Sequence, residues 1–140
     1  MSMKITFPGG LAVNAVFKEF TVTTDQGVEH GGGGTAPEPF DLFLASLGTC
    51  AGLFALRFCQ QRGIATQDLG LTLTTEKDPE LKRLVLVRLE IELPDGFPEK
   101  YHEALIRSVD QCTVKRHIVH PPRFEVVTSA GRSQSEIVEV

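Results

Sequence analysis

Cys50 and Cys112 are the residues of this 140-residue chain whose type and placement could do chemistry. Each falls on the apolar stripe of a predicted helix. A thiolate attacks an electrophile such as a peroxide oxygen and becomes a sulfenic acid, which a second cysteine condenses with to form a disulfide. An external thiol then resets the pair by exchange. The attacking thiol needs a lowered pKa, from a cation, a helix N-terminus or hydrogen-bond donors. Cys50 is mid-helix, so a helix terminus is not expected to supply this. The candidate activators are Arg57, two turns along on the same side, and Lys115, Arg116 and His117, which follow Cys112. The third cysteine, Cys59, is nine residues from Cys50 on the same helix, a separation of roughly 13 Å of rise. A disulfide needs Cα atoms within about 7 Å, so Cys59 is read as a small buried hydrophobe. Cys112 is the one intramolecular candidate partner for Cys50. Spacing alone leaves open whether the two meet or are unconnected core cysteines.

Other constellations carry less. Cys112, His117 and His120 form C-x4-H-x2-H and could, with Cys50, make a four-ligand zinc site. The spacing is not a common zinc pattern and the histidines lie beside Pro121-Pro122, so a solvated or helix-capping role is expected for them. His30 and His102 are isolated. Gly31 to Gly34 lacks the G-K-[ST] ending of a P-loop and the spacing of G-x-G-x-x-G; it reads as a mobile loop able to flank a thiol site. Glu38 and Asp41 are expected to be partners of the helix dipole, with orientation of a base or arginine as the alternative role.

The elements that must position the thiols can be read from periodicity. Ile5 and Phe7, then Leu11, Val13, Ala15 and Phe17, then Phe20 and Val22 predict three strands of a β-meander, with a turn at Pro8-Gly9-Gly10. A loop is expected from Asp25 to Pro37. A long helix follows from Pro39 to Arg62, with proline in its first turn and Gly63 just past its end. Leu69, Leu71 and Leu73 predict one strand, and Val85, Val87, Leu89, Ile91 and Leu93 the inward face of another, stopped by Pro94-Asp95-Gly96. A second helix begins near Pro98 with the stripe Tyr101, Leu105, Ser108 or Val109, and Cys112, and continues or restarts through His117. Phe124 to Thr128 predicts a last strand, and the tail is polar except for Ile137-Val138. The order is that of an α+β fold, in a single domain over residues 1–140.

The long helix is apolar nearly all round. Phe43, Leu47, Cys50, Phe54 and Phe58 occupy one stripe, and Ala45, Gly48, Gly52, Ala55 and Cys59 the opposite one. A helix apolar on both faces must be covered on both, and a second subunit is the expected cover, most simply in a two-fold homodimer. A helix wrapped by its own sheet is the alternative.

Composition bounds the rest. Hydrophobic residues make up 41% and charged residues 23%, and the net charge is −4, an ordinary globular balance. There is no basic stripe of the kind nucleic acid requires. The apolar run from Leu42 to Phe58 is broken by Gly48, Gly52 and Arg57, which argues against a membrane span. No signal peptide is read at the N-terminus, so the expected compartment is the reducing cytoplasm, where cysteines are free, catalytic or metal-bound.

The segment P-F-D-L-F-L-A-S-L-G-T-C, Pro39 to Cys50, resembles the central-helix motif of the OsmC/Ohr superfamily. Cys50 lies eleven residues after Pro39, and Cys112 follows Cys50 by sixty-two residues, across two strands and a helix; both spacings are similar to the family's, as is the helix end Phe58 to Gly63. The resemblance implies an OsmC-like α+β fold, with antiparallel sheets and the first cysteine on a long central helix, assembled as an intertwined homodimer with active sites at the subunit interface. It implies thiol-dependent reduction of hydroperoxides, organic ones preferred, with Cys50 peroxidatic, Cys112 resolving, an external thiol as reductant, and no metal or organic cofactor. The chain departs from the organic hydroperoxide resistance branch in three places. That branch uses an arginine from the N-terminal region, whereas the first arginine here is Arg57. It places glutamate after the proline, where this chain has Phe40. The family's second cysteine is often followed by proline, here by Thr113. A peroxidase of the less characterised OsmC-like branch is therefore the first reading. A dimer that binds small molecules or senses redox state without catalysis is the second, and a zinc protein the third.

Overall fold

The computed structural model describes residues 1–128 and 137–139. Its elements run β1 (Lys4–Gly9), β2 (Ala12–Phe17), β3 (Phe20–Thr24), α1 (Pro39–Gln60), β4 (Gly70–Asp78), β5 (Arg83–Glu92), α2 (His102–Val109), α3 (Thr113–Val119), β6 (Glu125–Val127) and β7 (Ile137–Glu139). This is the α+β order expected. The strands form three antiparallel sheets, β1-β2-β3, β4-β5 and β6-β7.

The core lies where α1 crosses α2 and the β4-β5 hairpin. Leu47, Ala51, Ala55, Phe58 and Cys59 of α1 meet Leu105 and Val109 of α2 and Cys112, all buried, with Leu71, Leu73, Leu89 and Ile91 packed against them. Arg62 ties the end of α1 to the approach of α2. Its guanidinium stacks 3.7 Å from the Phe58 ring centre and 5.5 Å from that of Tyr101, while Nη1 donates to the Phe58 carbonyl. Cys59 is fully enclosed, and burial pushes its thiol up against a weaker opposing pull from Arg62. It is a core hydrophobe, as its spacing suggested.

One face assignment changes. Leu86 pairs with Glu76 and Leu84 with Lys77, so Val85 is the extra residue of a β-bulge. A bulge re-aims the side chains beyond it. Val85 is turned outward at 56% exposure, and Leu84 takes the inward position expected for it.

The start of α1 is fixed by a reciprocal cap. The Glu38 side chain accepts from the backbone at Asp41, and Asp41 Oδ2 accepts the Glu38 N–H at 3.0 Å, satisfying two of the donors a helix start leaves open. The loop before it is held from both ends. Buried Asp25 accepts from the Gln26, Gly33 and Thr35 N–H groups and from the Thr35 hydroxyl. Glu38 Oε1 accepts the Gly27 N–H and bonds His30 Nδ1, each at 2.9 Å.

By length and hydropathy α1 could cross a membrane, but its core-facing side packs on α2, β4 and α3. Its other side is left open: Leu53 and Leu56 are both more than a third exposed, as are Phe40 and Phe43 near the start of the helix. The β1-β2-β3 sheet likewise packs extensively on no other described element.

Candidate active site

The structure brings Cys50 and Cys112 together, with their thiols hydrogen-bonded to each other and both reduced. Leu47, one turn before Cys50, seats the pair from below, its carbonyl 3.9 Å from the Cys112 sulfur. Cys50 is partly exposed and Cys112 fully buried. Cys50 is thus the more accessible of the two thiols.

Cys112 does not ride on a continuous helix. The chain breaks after α2, and Cys112 is the N-cap of α3, with φ −48° and ψ 119°. Its sulfur accepts the Lys115 N–H at 3.5 Å. Cysteine is not a favoured N-cap residue, which is why this break is weak in the sequence.

The cap turns the first backbone N–H groups of α3 toward Cys50. Burial is the largest single influence on the Cys50 thiol and pushes it up. The Val114 N–H, the Cys112 thiol and the Thr113 N–H together outweigh it, so Cys50 lies below the ordinary thiol range. Hydrogen bonds to the charged form of a group favour that form. The expectation that a mid-helix cysteine must rely on a nearby Arg, Lys or His is corrected here. The activating donors are neutral and belong to a helix other than the cysteine's own. Cys112 moves the other way. Burial raises it most, the Lys115 and Val114 N–H groups oppose that, and its bond to Cys50 and the charge there raise it further.

The four side chains offered by sequence as activators are engaged elsewhere or absent from the influences on Cys50. Lys115 pairs with Asp110. His117 Nδ1 donates to the Thr113 carbonyl at 2.8 Å. Arg57 and Arg116 are exposed, and neither contributes to the Cys50 shift. His117 and His120 do not join the thiols as metal ligands. Among the described residues, the donor atoms close enough to share a cation are those of Glu29, His30 and Glu38. The backbone donors of Thr113 and Val114 were missed by sequence reasoning, since no residue type marks them.

A family model described as OsmC-like protein matches residues 31–127, from the glycine loop through both cysteines to β6. The chain belongs to the OsmC-like family. No curated protein matches it. Solved structures share the OsmC-like fold at low identity. One is assigned to the osmotic stress induced and detoxification response in Psychrobacter arcticus, with a TM-score of 0.71, 22% identity, and 86% of this chain and 89% of that one covered. An OsmC like protein from Mycoplasma pneumoniae aligns with a TM-score of 0.67 at 15% identity, covering 86% and 87%. An organic hydroperoxide resistance protein from Legionella pneumophila aligns with a TM-score of 0.56 at 22% identity, covering 84% and 89%. The OsmC-like motif that Pro39 to Cys50 resembles in sequence thus sits, in this structure, on the central helix expected of it.

Proposed function

We propose that this OsmC-like protein is a two-cysteine hydroperoxide reductase. The observation that carries the reading is the opposed tuning of two touching thiols, Cys50 shifted down and reachable, Cys112 shifted up and buried. In the first step the Cys50 thiolate attacks the distal oxygen of ROOH. The O–O bond breaks, the alkoxide takes a proton and leaves as ROH, and Cys50 becomes a sulfenic acid. Cys112 then attacks the Cys50 sulfur, a disulfide forms and water leaves. An external dithiol supplies the two electrons that return both thiols. The Legionella neighbour, an organic hydroperoxide resistance protein, supports organic peroxides as the substrate class. Phe43, Val114 and Ile118 line one hollow with Thr113, whose neighbour Val114 donates to Cys50, and apolar walls there suit an apolar R group.

The protein acts as a homodimer in this proposal, in the cytoplasm. Supporting this are the uncovered face of α1 and the sheet β1-β2-β3, whose Phe7 and Phe20 are 79% and 63% exposed. Apolar surface this extensive marks an interface.

A second reading, a binding or redox-sensing dimer, is favoured by the neutral character of every donor acting on Cys50. Single-turnover thiol loss with cumene hydroperoxide and with hydrogen peroxide separates the two. Fast reaction of the native protein with the organic peroxide, an inert Cys50→Ser and a Cys112→Ser that stalls as sulfenic acid support the reductase. Reaction of all three at the rate of an ordinary thiol would overturn it in favour of binding or sensing.

A further inference from the structure

His117 lies one step behind the donors that act on Cys50. Its Nδ1 donates to the Thr113 carbonyl at 2.8 Å. That carbonyl and the Val114 N–H are the two ends of one peptide group. The Val114 N–H is the largest of the three influences that lower the Cys50 thiol. A peptide group is planar and stiff, so holding its oxygen fixes where its N–H points. A proton donated to the oxygen also draws charge through the amide and makes the N–H a better donor, because hydrogen bonds in a chain polarise one another. The run is continuous. It passes from the imidazole Nδ1–H to the Thr113 oxygen, through the 113–114 amide, and from the Val114 N–H to the Cys50 sulfur. The Thr113 oxygen can accept this bond without giving up the helix. A carbonyl oxygen carries two lone pairs, and the helical bond from the N–H four residues on takes one. His117 also lines the same hollow as Thr113 and Val114, which keeps the imidazole on the side of α3 where this peptide group lies.

We propose that His117 is a positioning residue for Cys50, acting through the 113–114 peptide group to aim and polarise the N–H that meets the sulfur. The proposal rests on the reductase reading only in taking Cys50 as the attacking thiol, and its test replaces the peroxide with iodoacetamide. Alkylation of Cys50 in the reduced full-length protein is followed by mass mapping as a function of pH, for the native protein, His117→Leu and His117→Asn. Leucine removes the donor and is the better helix former. Asparagine carries an N–H donor where Nδ1 stands, one bond beyond Cγ, and is a weaker helix former than leucine. In His117→Leu the midpoint of the profile is expected to rise by a few tenths of a pH unit, and alkylation at neutral pH to slow about twofold, since a chain strengthens each hydrogen bond by roughly 10–30%. His117→Asn returns both most of the way to native. The Val114 amide proton resonance follows the same order, moving upfield in His117→Leu and back in His117→Asn. A role in merely holding α3 together predicts the reverse order, because leucine favours the helix more. Coincident profiles for the native protein and His117→Leu, or equal shifts in the two variants, would overturn the proposal. Failure of the reductase reading looks different. A Cys50 that ignores cumene hydroperoxide, while the alkylation profiles still separate the variants, removes the peroxidase and leaves the relay intact.

Discussion

At the residue scale, the candidate chemistry depends on what touches one sulfur. Thiolate stabilisation by N–H groups is local and geometric, so it can be removed one donor at a time. Thr113 occupies the first position of α3, where proline is tolerated because its missing N–H has no helical partner. The preceding residue, Cys112, already has the extended backbone that a following proline demands. Thr113→Pro therefore keeps α3 and deletes one donor to Cys50. Its expected effect is a rise in the Cys50 pKa and a several-fold slower alkylation by iodoacetamide at pH 7, with far-UV circular dichroism unchanged. In the native protein the alkylation profile of Cys50 should reach half-maximum at a lower pH than that of the Thr113→Pro variant. Coincident profiles for the two proteins would contradict the donor geometry.

At the element scale, the loop before α1 is fastened by a pair with opposite titrations. The hydrogen bond to Glu38 raises His30, and the same bond lowers Glu38. Stability from a raised histidine is complete below its unfolded value of 6.5 and is lost as pH climbs through the folded pKa. Stability from a lowered carboxylate is complete above its unfolded value of 4.5 and is lost as pH falls through the folded one. The fastening is thus strongest between those limits and weakens toward pH 8. His30→Gln should flatten the pH dependence of amide exchange in residues 26–35 between pH 6 and 8, while leaving exchange in the α1 core unchanged. Most elements were legible in the sequence because their signals are periodic or stereochemical. Alternating apolar residues marked the strands, and Pro39 and Gly63 bracketed α1, whereas Glu38 and Asp41, read as partners of the helix dipole, turn out to cap it reciprocally. The break at Asp110–Cys112 was legible only as one of two alternatives, and the bulge at Val85 was not legible. The first rests on a cysteine serving as an N-cap, and the second on pairing with a partner strand, which no single-strand pattern encodes. The same limit hid the activation of Cys50. The sequence singled out the two thiols that the structure brings together, but the donors are main-chain atoms of a helix that begins at Thr113, far along the chain.

At the scale of the whole molecule, one chain has too little interior for its apolar surface. Among the described residues, eight buried ones make up the hydrophobic core, while many large apolar side chains remain outside it. Hydrophobic area left in water is stabilisation not realised, at about 25 cal/mol per Å². Sedimentation should therefore give twice the chain mass of 15.3 kDa. The double variant Phe7→Lys/Phe20→Lys, on the sheet that packs on little else, should shift the protein toward monomer and lower its melting temperature. A native protein that sediments as a monomer at micromolar concentration would remove the dimer from the proposal.

The N-cap at Cys112 has one more consequence. The sulfur that would close onto Cys50 is the same atom that holds the first turn of α3 through Lys115. Bonding to Cys50 draws it away from that N–H, and losing an N-cap costs a helix about 1 kcal/mol. Oxidation would then be felt mechanically. A helix of only seven residues would loosen each time the disulfide forms and tighten each time it is reduced. Amide exchange in residues 113–119 should run faster in the disulfide form than in the dithiol form. An external reductant would then meet an oxidised protein whose third helix has already begun to loosen at its first turn.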